Sequence, residues 1–269
     1  MKIFYAIIAV LAAVHPSLAA EEIPLPRSRP PSIGLTYIPM VDDAMSSAAE
    51  LEEAMGCRIR LTQSRVKAVS VPPLQAPGGC GAPDVVRLEG LTLRDQTTVA
   101  FTTPPLLRCG MAEEVAKWVR DDLAPLARSL GSPIKSIESY GSFECRGRNR
   151  VAGTRMSEHG RANAVDIRSV KLANGNVYEL TDRAVARDFR EDVRKSTCAH
   201  FTTVLGPGSD GYHEEHIHID LAERRGGHRL CQWDVRDPVP EVPLPRPRPD
   251  FEAVEAKAKI GDEKTHDVK

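Results

Sequence analysis

His213–Asp220 reads HEEHIHID, and Met156–Ile167, about fifty residues upstream, reads MSEHGRANAVDI. In an extended strand alternate side chains share one face. A strand over His216–Leu221 therefore sends Ile217 and Ile219 into a core and projects His216, His218 and Asp220 together on the opposite side. In the upstream stretch Val165 and Ile167 bury on one face and leave Asp166 on the other. His159 stands seven residues before Asp166, at the mouth of a run of small and turn-forming residues from Gly160 to Ala164. Imidazoles and a carboxylate form the ligand set of a zinc site that keeps its fourth position open for water. The pattern predicts His159, Asp166 and His218 as three metal ligands. It is not the helical zincin motif, because Ile217 stands where that motif needs its second histidine.

Outward from these stretches, the chain between residues 43 and 235 reads as one domain. Helices are expected over 43–55, stopped by Gly56, over 111–130 with Pro125 as a kink and Gly131 as its end, and from a Thr181 cap to about Ser196. Strands are expected over 85–93, 98–101, 134–143, 165–167, 177–180 and 216–221. Helices and strands mix without βα alternation, which predicts an α+β fold. Its expected form is a small antiparallel sheet carrying the ligands, flanked by helices.

The ends read differently. Residues 1–20 join Lys2, an apolar run from Ile3 to Val14, Pro16 and small residues, the pattern of a cleaved signal peptide. Residues 21–42 and the stretch after 235 are proline-rich, and both contain Pro-Leu-Pro-Arg-x-Arg-Pro, at Pro24–Pro30 and Pro243–Pro249. Alternating prolines lack the amide donor and favour extended spacers. The tail to Lys269 is polar. Export predicts a periplasmic or secreted protein with no membrane span after cleavage. Six cysteines, none in a C-x-x-C pair, then predict up to three disulfides rather than a thiolate metal site. Sequence order suggests 57–80, 109–145 and 198–231. A net charge of −1 gives no reason to expect nucleic acid as a partner.

The two stretches resemble the paired motifs Ser-x-His-x-x-Gly-x-Ala-x-Asp and Glu-x-x-His or His-x-His of the metallopeptidase superfamily that unites lysostaphin, D-Ala-D-Ala peptidases and the hedgehog domain. More narrowly, residues from about 51 to 231 resemble the bacterial extensin-like C-terminal domain. That likeness is carried by Trp118-Val119-Arg120, Cys145-Arg146, Ser157-Glu158-His159, Asn163–Ile167, Val204–Pro207 and Cys231. The resemblance implies Zn2+ on His159, Asp166 and His218, with Glu215 or His216 as the base that deprotonates the attacking water. It implies that Arg146 steadies substrate or oxyanion, a role that suits a fixed, always-charged donor fork. Family spacing points to Glu215 as the base and strand parity to His216.

Ala162 occupies the motif's glycine position. His213 and Glu214 read as solvated loop residues, with lining of the cleft as the alternative, and Ser157 as a residue that orients the loop. The expected activity is zinc-dependent hydrolysis of peptidoglycan peptides. The alternative is a zinc-stabilised module that binds peptidoglycan or an envelope protein without cutting it. Metal affinity should fall below pH ~6.5, because the histidines must be neutral to bind.

Overall fold

The computed structural model describes residues 48–237. The expected leader, both proline-rich segments and the polar tail lie outside these residues, as do residues 43–47 of the first expected helix. In chain order the elements are α1 (Ala48–Gln63), β1 (Val66–Ser70), β2 (Leu74–Ala76), β3 (Cys80–Ala82), β4 (Val85–Thr92), β5 (Thr98–Phe101), β6 (Leu106–Arg108), α2 (Cys109–Trp118), α3 (Ala124–Ala127), β7 (Ile134–Gly141), β8 (Ala164–Leu172), β9 (Val177–Glu179), α4 (Arg187–His200), β10 (Thr203–Leu205), β11 (Ile217–Asp220) and β12 (Leu230–Gln232). The fold is α+β.

One ten-stranded sheet has the order β1-β4-β5-β7-β8-β11-β10-β12, with β6 also on β4 and β9 on β8. It is larger than the small sheet expected. Its pairs are antiparallel except β5 with β7 and β10 with β12, and β2 and β3 form a separate hairpin.

Apolar spacing along 111–130 builds the helical layer. Met111, Val115, Trp118, Val119 and Leu123 are all buried in the main core. Pro125 has no amide to donate, and the ladder widens into a π turn at Val119–Leu123 just before it. Gly131 then ends the helix in the left-handed conformation, at φ 92°. Trp118 meets Phe201 edge-on at 5.8 Å and donates to Ser196 Oγ at 3.1 Å, fastening α2 to α4.

Two helix boundaries depart from expectation. Gly56 does not stop α1, which runs on to Gln63. A mid-helix glycine costs about 1 kcal/mol, and burial of Cys57 and Leu61 beyond it outweighs that. Thr181 does not cap α4, which begins at Arg187 behind Ala186 and ends at His200. Residues 182–185 turn instead, with Asp182 Oδ1 accepting the Ala184 amide at 2.8 Å. The buried Arg190 guanidinium then fixes the Val185 carbonyl at 2.9 Å.

All six cysteines are paired, as Cys57–Cys109, Cys80–Cys145 and Cys198–Cys231. Only the last of the three suggested pairs is found. Chain order fails for the others because packing of α1 on α2 brings Cys57 to Cys109. The β2–β3 hairpin likewise brings Cys80 to the loop after β7. Each bridge closes a long loop, and a bridge of this kind typically stabilises a domain by about 2–4 kcal/mol.

Candidate functional site: a three-donor cluster in an open cleft

The expected strand parity holds. In the β8–β11 register Ile217 faces Ile167 and Ile219 faces Val165, all four fully buried. Between them His218 faces Asp166 directly across the ladder, on the other face of the sheet. A third donor arrives from outside the sheet. Residues Glu158–Arg161 form one short 3₁₀ turn, and Ser157 Oγ caps it by accepting the His159 amide at 3.3 Å. This is the orienting role expected of Ser157. Glu158 locks the same turn from beneath, buried and accepting from Arg161 at 2.9 Å and Asn163 at 2.7 Å.

Two backbone positions let the donors approach. Ala162 ends the 3₁₀ turn at φ 52°, left-handed and fully buried. Glycine is the residue that adopts such a φ without strain. Gly141 pairs with Asp166 across β7–β8, and a Cβ there would lie 2.7 Å from Asp166 Oδ2.

The donors form a compact triangle. His159 Nε2 lies 3.0 Å from His218 Nδ1, His218 Nδ1 lies 3.0 Å from Asp166 Oδ1, and His159 Nε2 lies 3.2 Å from Asp166 Oδ1. All three residues are buried. Tautomers follow from the outer partners. His159 Nδ1 must carry its proton, because it donates to the Ser142 carbonyl at 2.6 Å. His218 Nε2 must carry one too, since it donates to Asp220 Oδ2 at 3.1 Å. Each inner nitrogen therefore offers a lone pair to the same point as Asp166 Oδ1.

Three lone pairs this close repel unless a cation sits among them. In the metal-free protein that cation is a proton. Burial disfavours the charged form of His218, but hydrogen bonds to Asp166 and Asp220 outweigh it and push its pKa up to about 9. Burial would raise Asp166, yet its bonds to His159 and His218 hold it far below the usual carboxylate range. A tetrahedral zinc with bonds of ~2.0–2.1 Å sets its ligand atoms about 3.3–3.4 Å apart. The triangle needs only a few tenths of an ångström to match. The Ser142 carbonyl and Asp220 are the outer partners that fix ligand tautomer and ring direction in metal sites. The donor set fits a divalent metal with one or more open positions.

The cluster lies in a cleft of about 670 Å³ whose lining includes Tyr140, Arg146, Glu215 and His216. His216 is half-buried, stacks on Tyr140 at 5.0 Å and places Nε2 3.8 Å from Asp166 Oδ1. Burial, outweighing the nearby Asp166, lowers its pKa, so it is neutral at pH 7. Glu215 is exposed on the rim, with no hydrogen bond or ion pair among the described residues. Arg146 is held at Nε by Glu144 at 2.9 Å. Its Nη2 has no partner among the described residues.

His213 is not a solvated loop residue. It is buried, donates from Nδ1 to Asp210 at 2.7 Å, and sets its ring 5.2 Å from His216 and 5.5 Å from His218. The signal was Asp210 three residues earlier. Glu214 is exposed as expected, binding the Gly208 amide and Arg236.

An α+β domain with two histidines and an aspartate converging at the floor of a cleft is the class that fold and site define. The family model for the extensin-like protein C-terminus matches residues 55–232, and the chain belongs to that family. No curated protein and no solved structure matches the chain.

Proposed function

We propose that this chain is an exported zinc-dependent peptidase acting on peptidoglycan peptides. The observation that carries the reading is the convergence of three lone pairs, two of them aimed by outer hydrogen bonds, at the floor of an open cleft. The motifs' likeness to the lysostaphin and D-Ala-D-Ala peptidase superfamily supports it and supplies the substrate class. Three disulfides agree with an oxidising periplasmic or secreted location.

Zinc held by His159, Asp166 and His218 would lower the pKa of a bound water towards ~7 and polarise the scissile carbonyl. The remaining work falls to the chain. His216 Nε2, neutral and beside the cluster, takes the proton of the attacking water and returns it to the leaving amine. Asp220 and the Ser142 carbonyl hold the ligand imidazoles in the tautomers that expose their lone pairs. Arg146 stays charged against the cleft wall and draws in a carbonyl or carboxylate of the peptide.

The test is digestion of purified sacculi by the zinc-loaded mature protein, with products separated as muropeptides. His216→Ala should lose about 10²–10⁴-fold in rate while retaining metal, and Glu215→Gln should stay within a few-fold of wild type. If Glu215→Gln is the dead variant, the rim carboxylate is the base. Bound zinc with no product from any sacculus would replace the peptidase with a zinc-stabilised binding module.

A further inference from the structure

A second cleft, of about 620 Å³, adjoins the first, and Arg148, Glu158 and Arg224 line both. Its charges do not balance. Arg108 is neutralised by Asp84 and Arg161 by Glu158, while Glu53 shares Arg60, outside the cleft, with Glu113. That leaves Arg148, Arg155 and Arg224, none with a carboxylate within 4.0 Å among the described residues, against the exposed Glu223 and the part of the Glu53 charge that Arg60 does not cover.

The three are also arranged. Arg148 and Arg155 stand opposite one another at the neck of a loop, where the Arg148 amide donates to the Arg155 carbonyl at 3.0 Å beside the Gly147–Met156 bridge. Arg224 is half-buried and fixed on the Thr202 carbonyl at 3.1 Å and Thr203 Oγ1 at 2.6 Å. Both its bonds go to neutral oxygens, so its charge is undiminished. Backbone pairing and Cys145, bridged to Cys80, anchor the loop that carries Arg148 and Arg155.

We propose that this second cleft is a carboxylate-binding subsite, and that the ligand is a peptide bearing free acidic side chains which runs from the three-donor cluster past Arg148 and Arg224 towards Arg155. A planar guanidinium matches a carboxylate in a two-bond fork, and surplus positive charge along a concave wall draws in such a ligand. The proposal rests on the peptidase reading only for the direction in which the peptide runs. The charge surplus is independent of any metal.

The experiment measures binding of a fluorescently labelled peptide with two glutamates, and of the same peptide with both side chains amidated, to the full mature chain in EDTA. Wild type should prefer the acidic peptide, more strongly at low salt. R148Q/R155Q, changing two exposed side chains, should weaken acidic-peptide binding about tenfold and leave the amidated peptide unchanged. Equal binding of the two peptides by wild type, or unchanged acidic-peptide binding by the double variant, overturns the subsite. Cleavage in zinc is scored separately. Loss of the peptidase reading shows as charge-selective binding without products, and loss of the subsite as products without charge selection.

Discussion

The two faces of β8 and β11 are built from the same residues in alternation, yet they are held by different physics. On one face Val165, Ile167, Ile217 and Ile219 pack into a core shared with the helices. On the other Asp166, His218 and Asp220 each depend on two or three specific partners. Apolar burial is non-directional and redundant, so many sequences satisfy the first face. The second face works only if three donor atoms meet within about an ångström, and the chain uses special backbone positions such as Gly141 and Ala162 to reach that precision. Fold and site are therefore separable, and each can be damaged while the other stands.

The largest expected separation comes from Ile219→Ala. Removing a fully buried branched side chain from a central strand should cost about 2–5 kcal/mol in urea unfolding, with zinc stoichiometry unchanged in the protein that remains folded. A loss below ~1 kcal/mol would mean that the apolar face does not hold β11.

Protonation of the cluster gives the next effect. His218 is raised in the folded, metal-free protein from 6.5 to about 9. A raised pKa contributes stability that is fully present below the unfolded value and lost as pH rises through the folded one. Asp166 is depressed, so its contribution is present above 3.8 and disappears only in acid. In EDTA, stability should therefore fall by up to about 3 kcal/mol between roughly pH 6.5 and pH 9. Zinc-loaded protein should lack this slope. The same proton competes with metal, so zinc affinity should keep rising towards about pH 9 instead of levelling near 6.5. A flat EDTA profile would show that no proton is held there.

Gly141→Ala probes the precision of the polar face alone. Its methyl would press on Asp166 Oδ2 at 2.7 Å, and the predicted result is a loss of about 10–100-fold in zinc affinity, read by competition with a chelating dye. Unchanged affinity would mean that the carboxylate has room to retreat. Ala162→Gly should do least. Relief of the left-handed strain offsets the lost methyl burial, leaving stability within about 0.5 kcal/mol of wild type. A cost above ~1 kcal/mol would show that packing of Ala162 dominates.

The same contrast explains what could be read in the sequence. Period-two alternation in HIHID and AVDI is a local signal, and it placed His218 and Asp166 on one face of strands that pair in register. The α2 stripe was legible for the same reason, at helical spacing. Signals that depend on distant packing were not. Nothing near Cys57 points to Cys109, and only the docking of α1 on α2 joins them. Strand β8 extends five residues past Ile167, because Ser169, Val170 and Lys171 find cross-strand neighbours on β9 and β7 that no window around Val165 reveals. The Asp210–His213 pair lies on a loop without periodicity, where an aspartate three residues before a histidine has no strand or helix to place it.

Zinc stoichiometry tests the central claim most directly. Wild-type protein, stripped with chelator, equilibrated with zinc and desalted, should carry one ion per chain by native mass spectrometry, and His159→Ala, Asp166→Ala and His218→Ala should each carry none. A wild type that carries no zinc, or three variants that retain it as wild type does, would contradict the account.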